Sequence, residues 1–246
     1  MLDYLVILAF FVVALLYSSV GHAGASGYLA IMAIAGLMPE VMRPTALALN
    51  ILVSSIVTYR FSKAGLIKWN KLFPLIITSI PFAFLGGTIK LPDEIYKPIL
   101  GIVLIFASIR LFLTFKKSKV AVDYLKNISI YVLLIIGAVL GLLSGLTGTG
   151  GGIFLTPLLL FVGFAGPRTA GGLSSAFILF NSISGLLGQI STVKSLPDNL
   201  FLALIFVAIG GFIGSGLGTR KLGNPGLKIL LAVVLVIAGV KLIFLW

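Results

Sequence analysis

Apolar segments separated by short polar or glycine-rich breaks run along the whole chain. Each segment is bounded by charged residues, glycine or proline, which commonly end regular elements. Five segments lie in each half: 2–20, 28–38, 44–61, 72–89 and 96–115, then 128–143, 153–164, 167–190, 200–217 and 226–246. A basic stretch at 116–127 lies between the halves. The pattern predicts ten helical segments.

The composition places these segments in a lipid bilayer. Of 246 residues, 59% are hydrophobic and 10% are charged, whereas about 25% of the residues of a soluble domain are charged. Because backbone groups in lipid must be hydrogen-bonded within their segment, we expect an all-α polytopic protein of the cell (plasma or inner) membrane. The net charge of +12 is spread over short runs between apolar segments. This indicates retention on one membrane side and no nucleic-acid partner.

The two halves carry similar residues in a similar order. Gly21, Gly24 and Gly27 recur at one constant spacing as Gly145, Gly148 and Gly151. Further matches follow in the same order: Asn50 with Ser174, Gly86 with Gly214, Arg110 with Lys241, and Pro44 with Pro167 at the start of the third segments. We interpret the chain as two repeats of five segments, at 1–115 and 128–246, joined by a basic cytoplasmic linker at 116–127.

The second segment of each repeat is too short to cross a bilayer. A helix of ten to twelve residues spans roughly 15 to 18 Å, about half of the membrane. Each short segment follows a glycine-rich bend, at 21–27 or 145–152. If the first two segments form a hairpin on one face, an odd number of segments inserts the second repeat upside down. The sequence leaves open whether each hairpin re-enters or crosses twice.

Basic residues favour this inverted arrangement, because cytoplasmic loops retain lysine and arginine. The cytoplasmic side receives Arg60, Lys63, Lys68, Lys71, Arg110, Lys116, Lys117, Lys119, Lys126, Arg168, Arg220, Lys221 and Lys228. The opposite side keeps Arg43, Lys90, Lys97, Lys194 and Lys241, with Asp3, Glu40, Asp93, Glu94 and Asp198. Eight full spans with parallel repeats would instead move Arg220, Lys221 and Lys228 outside, which fits less well.

Inverted repeats with interrupted helices are typical of transporters, whose substrates bind near the midplane. A half-helix that starts at a glycine bend directs free backbone N–H groups and its positive dipole end at the bend, which suits an anion. The predicted anion-binding residues are Gly24, Ala25, Ser26, Gly27, Thr147, Gly148, Thr149, Gly150 and Gly151. The alternative is that these glycines serve only helix packing. We prefer that alternative for Gly210, Gly214 and Gly218.

Polar residues in the third segments can lie level with the bends. Asn50, Ser174 and Ser175 are candidate ligands, and interhelical hydrogen bonds are the alternative. His22 beside the first bend could contact the anion or carry a proton, since its unperturbed pKa near 6.5 permits both charge states. Arg43 and Arg168, near segment starts, could attract anions, but we prefer to interpret them as snorkelling interface residues.

The sequence contains few residues that could catalyse a reaction. With one histidine, no cysteine and no acid inside a predicted segment, the chain offers no paired carboxylates, serine triad or metal cluster. We expect no catalytic residue, cofactor or metal. Homo-oligomerisation stays open.

The chain resembles the sulfite exporter TauE/SafE family of membrane permeases over nearly its whole length. The matching residues are 21–28 with 43–46 in the first half, and 145–152 with 169–175 in the second, where the motif is more specific. The resemblance implies transport of small sulfur-containing or organic anions, such as sulfite and sulfonates, commonly outward. Thiosulfate importers of similar architecture use cysteines along their path, and this chain has none.

The sequence therefore predicts a permease for an anion of the sulfite or sulfonate class, acting as an exporter through alternating access around a midplane site. Two other functions remain: a passive anion channel that uses the same bends, and a membrane scaffold that does not transport.

Overall fold

A computed structural model of the protein describes residues 3–115, 128–190, 193, 196–220 and 225–244. These residues form helices at every predicted segment, and no strand occurs among them. The helices are α1 Tyr4–Ser18, α2 Ala25–Ile34, α3 Pro39–Lys63, α4 Trp69–Thr88, α5 Asp93–Phe115, α6 Ile130–Thr147, α7 Gly152–Phe161, α8 Pro167–Gln189, α9 Leu200–Arg220 and α10 Pro225–Phe244. The predicted linker at 116–127 lies outside the described residues.

The distribution of polarity is that of a membrane protein. Large apolar side chains are exposed on most helices, including Leu5, Phe73, Ile135 and Phe201, and a surface of this kind needs lipid around it. The buried interior instead contains Asn50, Asn181, Ser174 and other polar residues. Among the described residues, five helices are long and apolar enough to cross a membrane: α3, α4, α6, α8 and α9 through Thr219. The prediction of an all-helical multi-pass protein is confirmed.

The two short helices have the predicted length but different starts. Both α2 and α7 contain ten residues, which corresponds to about 15 Å. Because α2 begins at Ala25, Ser26 and Gly27 lie in its first turn, not in the bend. Likewise α6 continues to Thr147, so the second bend is confined to 148–151. The predicted bends at 21–27 and 145–152 were therefore too wide.

The prediction that Pro44 opens the third helix was wrong. Helix α3 begins at Pro39, and Pro44 lies inside it. Proline suits the first helical turn because the N–H that it lacks has no partner there, and Pro39 and Pro167 occupy that position in α3 and α8. Pro44 follows in the next turn.

Close helix pairs join the two halves. Gly210, Gly214 and Gly218 of α9 lie against the backbone of α1, where a Cβ on Gly210 would come within 2.5 Å of Phe11 O. Added Cβ atoms on Gly214 and Gly218 would collide with Leu15 O and Ser19 O. The packing interpretation of these three glycines is confirmed.

A second pair of helices packs in the same way. Here the glycines that face the partner backbone lie in α6 of the second half and the partner is α4 of the first half. Helix α6 packs along α4, where Cβ atoms on Gly137, Gly141 and Gly145 would collide with the carbonyls of Leu75, Ser79 and Ala83. Gly86 of α4 and Gly214 of α9, which the sequence comparison matched, face the backbone of α6 and of α1 respectively. Between these pairs, α3 packs against α8 and α9, and α8 also packs against α4. The bends lie beside this centre.

Candidate functional site

Both bends use glycine where the backbone is left-handed. Gly24 has a φ of 110°, and Gly148, Gly150 and Gly151 have φ of 77°, 73° and 78°. Other residues rarely adopt this conformation. Gly24 and Gly151 immediately precede α2 and α7, and no side chain caps either helix start. The first N–H groups of a helix have no partner within it, so both bends present backbone donors.

The first bend contacts the start of α7, directly after the second bend. His22 in the first bend places Nε2 3.2 Å from the carbonyl oxygen of Gly152, the first residue of α7. Because a carbonyl only accepts, this hydrogen bond requires a proton on Nε2. The start of α7 thus lies against the first bend. The first bend therefore lies beside the start of the short helix of the second half, and the binding role of the bend residues stays a prediction.

A short polar chain extends from His22 into α8. Thr156 Oγ1 lies 2.9 Å from His22 Nε2 and 2.6 Å from Ser174 Oγ. Thr156 was not among the candidate residues. The sequence does show a hydroxyl at Thr156 within the otherwise apolar helix Gly152–Phe161. It does not show which side chains lie within hydrogen-bond distance of that hydroxyl. Ser174 from the second half is therefore connected to the bend of the first half.

Asn50 makes the complementary connection. Its Nδ2 donates to Thr149 O at 3.5 Å and to Ser182 Oγ at 3.4 Å, while its buried Oδ1 has no hydrogen-bond partner among the described residues. A Cβ on Gly150 would lie 2.8 Å from Asn50 Nδ2 and 2.9 Å from Ser182 Oγ. Asn50 lies near the middle of α3. The second bend, at Thr149 and Gly150, thus lies level with the centre of a membrane-crossing helix.

The remaining predicted hydroxyls are buried in local hydrogen bonds. Thr147 Oγ1 donates to Leu143 O at 2.7 Å and lies 2.9 Å from Thr149 Oγ1. The hydroxyls of Ser26 and Tyr17 share a hydrogen bond of 2.6 Å. Ser175 Oγ donates to Gly172 O, one turn earlier in α8. Thr147 and Thr149 therefore lie at the second bend, whereas the hydrogen bond of Ser175 is confined to its own helix.

The interpretation of Arg43 as a snorkelling side chain was wrong. Only 9% of Arg43 is exposed. Its Nη2 donates to Gly145 O at 3.0 Å and Gly86 O at 3.4 Å, and its Nη1 to Ile89 O at 3.3 Å. Its guanidinium also lies 5.5 Å from the ring centroid of Tyr96. The carbonyls at the end of α4 and in α6 replace the water that snorkelling would have supplied.

A cavity adjoins this arginine. It has a volume of about 270 Å³ and is lined by residues that include Glu40, Arg43, Lys90, Asp93, Tyr96 and Gln189. Tyr96 OH donates to Thr147 O at 3.1 Å, so two residues of the cavity wall are bonded to the segment leading into the second bend. At about 30 Å³ per water molecule, the cavity can hold a small hydrated anion.

Among the described residues, no cluster of three histidine, cysteine or acidic side chains could hold a metal ion. At the bends, the described residues offer backbone N–H groups, hydroxyls, one amide and one imidazole, and Arg43 adds a guanidinium beside the cavity. The cavity wall also carries the carboxylates of Glu40 and Asp93, so the donors for an oxyanion are those of the bends and of Arg43.

Comparison with known proteins identifies the family of this chain. The model of the family "Sulfite exporter TauE/SafE" matches residues 6–242. The chain belongs to the TauE/SafE family. "Probable membrane transporter protein y4hK" of Sinorhizobium fredii is 40% identical over 238 residues, which cover 96% of each chain. "Probable membrane transporter protein MJ0441" of Methanocaldococcus jannaschii is 26% identical over 206 residues, covering 77% of this chain and 74% of that protein. No solved structure gives a significant match. This TauE/SafE protein is a multi-pass membrane transporter of the cell membrane.

Proposed function

We propose that this TauE/SafE protein exports a small sulfur-containing or organic oxyanion of the sulfite or sulfonate class by alternating access around the two bends. The observation that carries the proposal is the contact of His22, in the first bend, with Gly152 at the start of α7. The starts of α2 and α7 have no side-chain cap among the described residues. Two positive helix ends near one point would attract a single small anion without a permanent charge in the site. The family name supports the proposed substrate class and outward direction.

The anion would be held by backbone N–H groups at residues 24–27 and 148–151. Hydroxyls of Thr147, Thr149 and Ser174 and the amide of Asn50 would complete its hydrogen bonds. The contacts that His22 and Asn50 make at the bends support this role because they are long: 3.2 Å from His22 Nε2 to Gly152 O, and 3.4 and 3.5 Å from Asn50 Nδ2 to Ser182 Oγ and Thr149 O. Weak hydrogen bonds can be exchanged for stronger bonds to a charged acceptor at little cost.

Arg43 would attract the anion from the cavity towards the second bend. Among the described residues, its buried Nε has no hydrogen-bond partner and its guanidinium forms no ion pair with an acidic side chain. The carboxylates of Glu40 and Asp93 also line the cavity, but the described partners of Arg43 are backbone carbonyls and the ring of Tyr96. An anion that enters the cavity would therefore meet a positive charge that is not paired with a carboxylate. Carbonyls are weaker partners than an oxyanion.

Alternating access further requires that the site open to either side, which an inverted repeat allows. The packing of α1 against α9 has a counterpart in the packing of α6 against α4, in which the two halves have changed places. This correspondence supports two repeats related by a two-fold axis.

Residues that the inverted arrangement assigns to the side opposite the cytoplasm also lie close to one another or to the same helix end. Lys241 Nζ donates to Ala33 O and Ile34 O at the end of α2, at 3.0 Å each, and the cavity collects Glu40, Arg43 and Lys90.

Flux of radiolabelled sulfite in proteoliposomes tests the function. Unlabelled sulfonates, sulfate, thiosulfate and acetate serve as competitors, at two pH gradients. We expect saturable flux that sulfonates inhibit. Flux without saturation would indicate a passive channel, and the absence of flux from folded protein in either orientation would contradict transport of this class.

Gly150→Ala tests the site. The new Cβ would meet Asn50, Ile178 and Ser182 within 2.9 Å at a φ of 73°. Gly65→Ala is the matched control, because Gly65 has a φ of 71° but open space around its Cβ position. Both variants carry left-handed strain of about 1 kcal/mol. We expect only Gly150→Ala to abolish transport, and normal flux through folded, inserted Gly150→Ala would contradict the site.

A further inference from the structure

A groove between the ends of α3 and α9 has no role in the proposed transport. Its volume is about 1140 Å³, and Ile56, Tyr59, Phe212, Ile213 and Leu217 form most of its walls. Tyr59 is 68% exposed and Phe212 59% exposed. The walls are thus open to the bilayer and suited to hydrocarbon chains.

Two basic residues lie at one end of this groove. Arg60 and Lys63 occupy the last turn of α3, whereas Ser55 and Ile56 line the groove deeper along the same helix. The groove therefore runs from the depth of lipid headgroups into the depth of acyl chains. Among the described residues, neither Arg60 nor Lys63 forms an ion pair with an acidic side chain. Their charges remain available for an anionic group.

The arginine is held in place by the opposite helix. Its Cζ lies 3.8 Å from the ring centroid of Phe212. On the same face of α9, a Cβ at Gly216 would collide with Arg60 Nη1. The glycine leaves room for the guanidinium, and the aromatic face positions it by a cation–π contact. A guanidinium oriented in this way can donate two parallel hydrogen bonds to a phosphate.

We propose that this groove, which includes Arg60 and Lys63, binds an anionic phospholipid. The phosphate bonds to Arg60 and Lys63, and an acyl chain lies along Ile56, Phe212 and Leu217. Charge selects the headgroup, because apolar walls alone accept the acyl chain of any phospholipid. Basic pockets between membrane helices are known to bind acidic headgroups in this way.

Lipid binding to the full-length protein tests the proposal. Native mass spectrometry and thermal unfolding in detergent would compare phosphatidylglycerol with phosphatidylcholine of the same acyl chains. Each basic residue near an anionic lipid contributes about fivefold in affinity. We therefore expect wild-type protein to prefer phosphatidylglycerol by up to about 25-fold, with a matching gain in thermal stability.

The double variant Arg60→Gln with Lys63→Gln assigns the preference to the groove. It should lose the preference and keep its binding of phosphatidylcholine. The control is Lys68→Gln with Arg168→Gln, which removes the same two residue types from exposed positions just before α4 and in the first turn of α8 and should keep the preference. Equal binding of both lipids by wild-type protein would overturn the proposal without any variant. A preference that survives in the groove variant, or equally tight binding of inorganic phosphate alone, would also overturn it.

Discussion

Arg43 is a buried cation whose hydrogen bonds to described residues all go to backbone carbonyls. Burying a positive charge away from water in this way costs free energy. Arg43 lies between the cavity and the second bend, where its charge can attract an anionic substrate. A hydrogen bond to a charged group contributes about 1.5 to 3 kcal/mol. If Arg43 attracts the substrate, its loss should weaken anion binding by at least about tenfold.

We therefore predict that Arg43→Gln raises the KM for anion transport at least about tenfold. Arg43→Lys keeps the charge but loses the forked geometry, so an intermediate KM is expected. Arg168→Gln removes an exposed arginine at the start of α8 and should leave KM unchanged. Flux titrations in proteoliposomes measure these values. A lower melting temperature of Arg43→Gln with an unchanged KM would assign Arg43 a structural role only.

Thr156 provides a second residue-level prediction. Its hydroxyl connects His22 with Ser174, whereas valine has the same shape without the hydroxyl. We expect Thr156→Val to lower transport and Thr156→Ser to retain it. The control Thr78→Val also deletes a hydroxyl, one that bonds α4 to Leu134 O of α6 at 2.7 Å, and each deletion costs about 1 kcal/mol of stability. Equal flux of the two valine variants at equal stability would show that the connection is not used.

The contacts of Thr156 and Arg43 could not be predicted from the sequence, whereas the glycine bends could. The glycine bends could be predicted because several glycines before a short apolar segment have a local physical meaning. The partners of Thr156 lie 134 and 18 residues away in sequence, and the carbonyl bonded most closely by Arg43 lies 102 residues away. No local pattern encodes such contacts, so a lone hydroxyl and a helix-start arginine could not be placed correctly.

Helices α1 and α9 are held together by small residues. Because lipid supplies no hydrophobic driving force between helices, close backbone approach at glycine is a main source of their association. Gly214 lies closest, with the backbone of Leu15 and the hydroxyl of Ser18 where a Cβ would be. Gly211 on the same helix faces a side chain instead, with Val53 Cγ1 at 3.1 Å from the Cβ position.

Gly214→Ala should therefore separate α1 from α9 and lower stability by about 1 to 3 kcal/mol. Gly211→Ala is expected to change stability less, because a valine side chain can adjust and a backbone cannot. Thermal unfolding in detergent measures both variants. Similar melting temperatures for the two would contradict the close packing of α1 with α9.

Helix bounds show what the sequence encodes at the scale of elements. Each of the ten segments could be predicted because its apolar length is a local property. Their starts could not, as α2 begins at Ala25 and α3 at Pro39. Glycine and proline were interpreted as breaks, but Gly27 packs against Val13 within α2 and Pro44 continues within α3. Tertiary packing determined whether each residue ended a helix or stayed inside it.

At the scale of the whole molecule, the direction of the second repeat decides whether one site can open to both sides. Inverted repeats place the turn between α8 and α9 outside, whereas eight parallel spans place it in the cytoplasm. Asp198 is exposed in that turn. Since the chain has no cysteine, a single introduced cysteine can be labelled without a background signal. Asp198→Cys should therefore react with a membrane-impermeant maleimide added to intact cells.

Two reference positions make the labelling interpretable. Met38→Cys lies before α3 and is outside in both arrangements, whereas Lys68→Cys lies before α4 and is cytoplasmic in both. If Asp198→Cys is labelled like Met38→Cys, the short helices α2 and α7 make each repeat odd and the basic residues follow the positive-inside rule. If it is protected like Lys68→Cys, the repeats are parallel. Two half-helix starts would then approach from the same face, and the proposed exchange of access between the two sides would lose its structural basis.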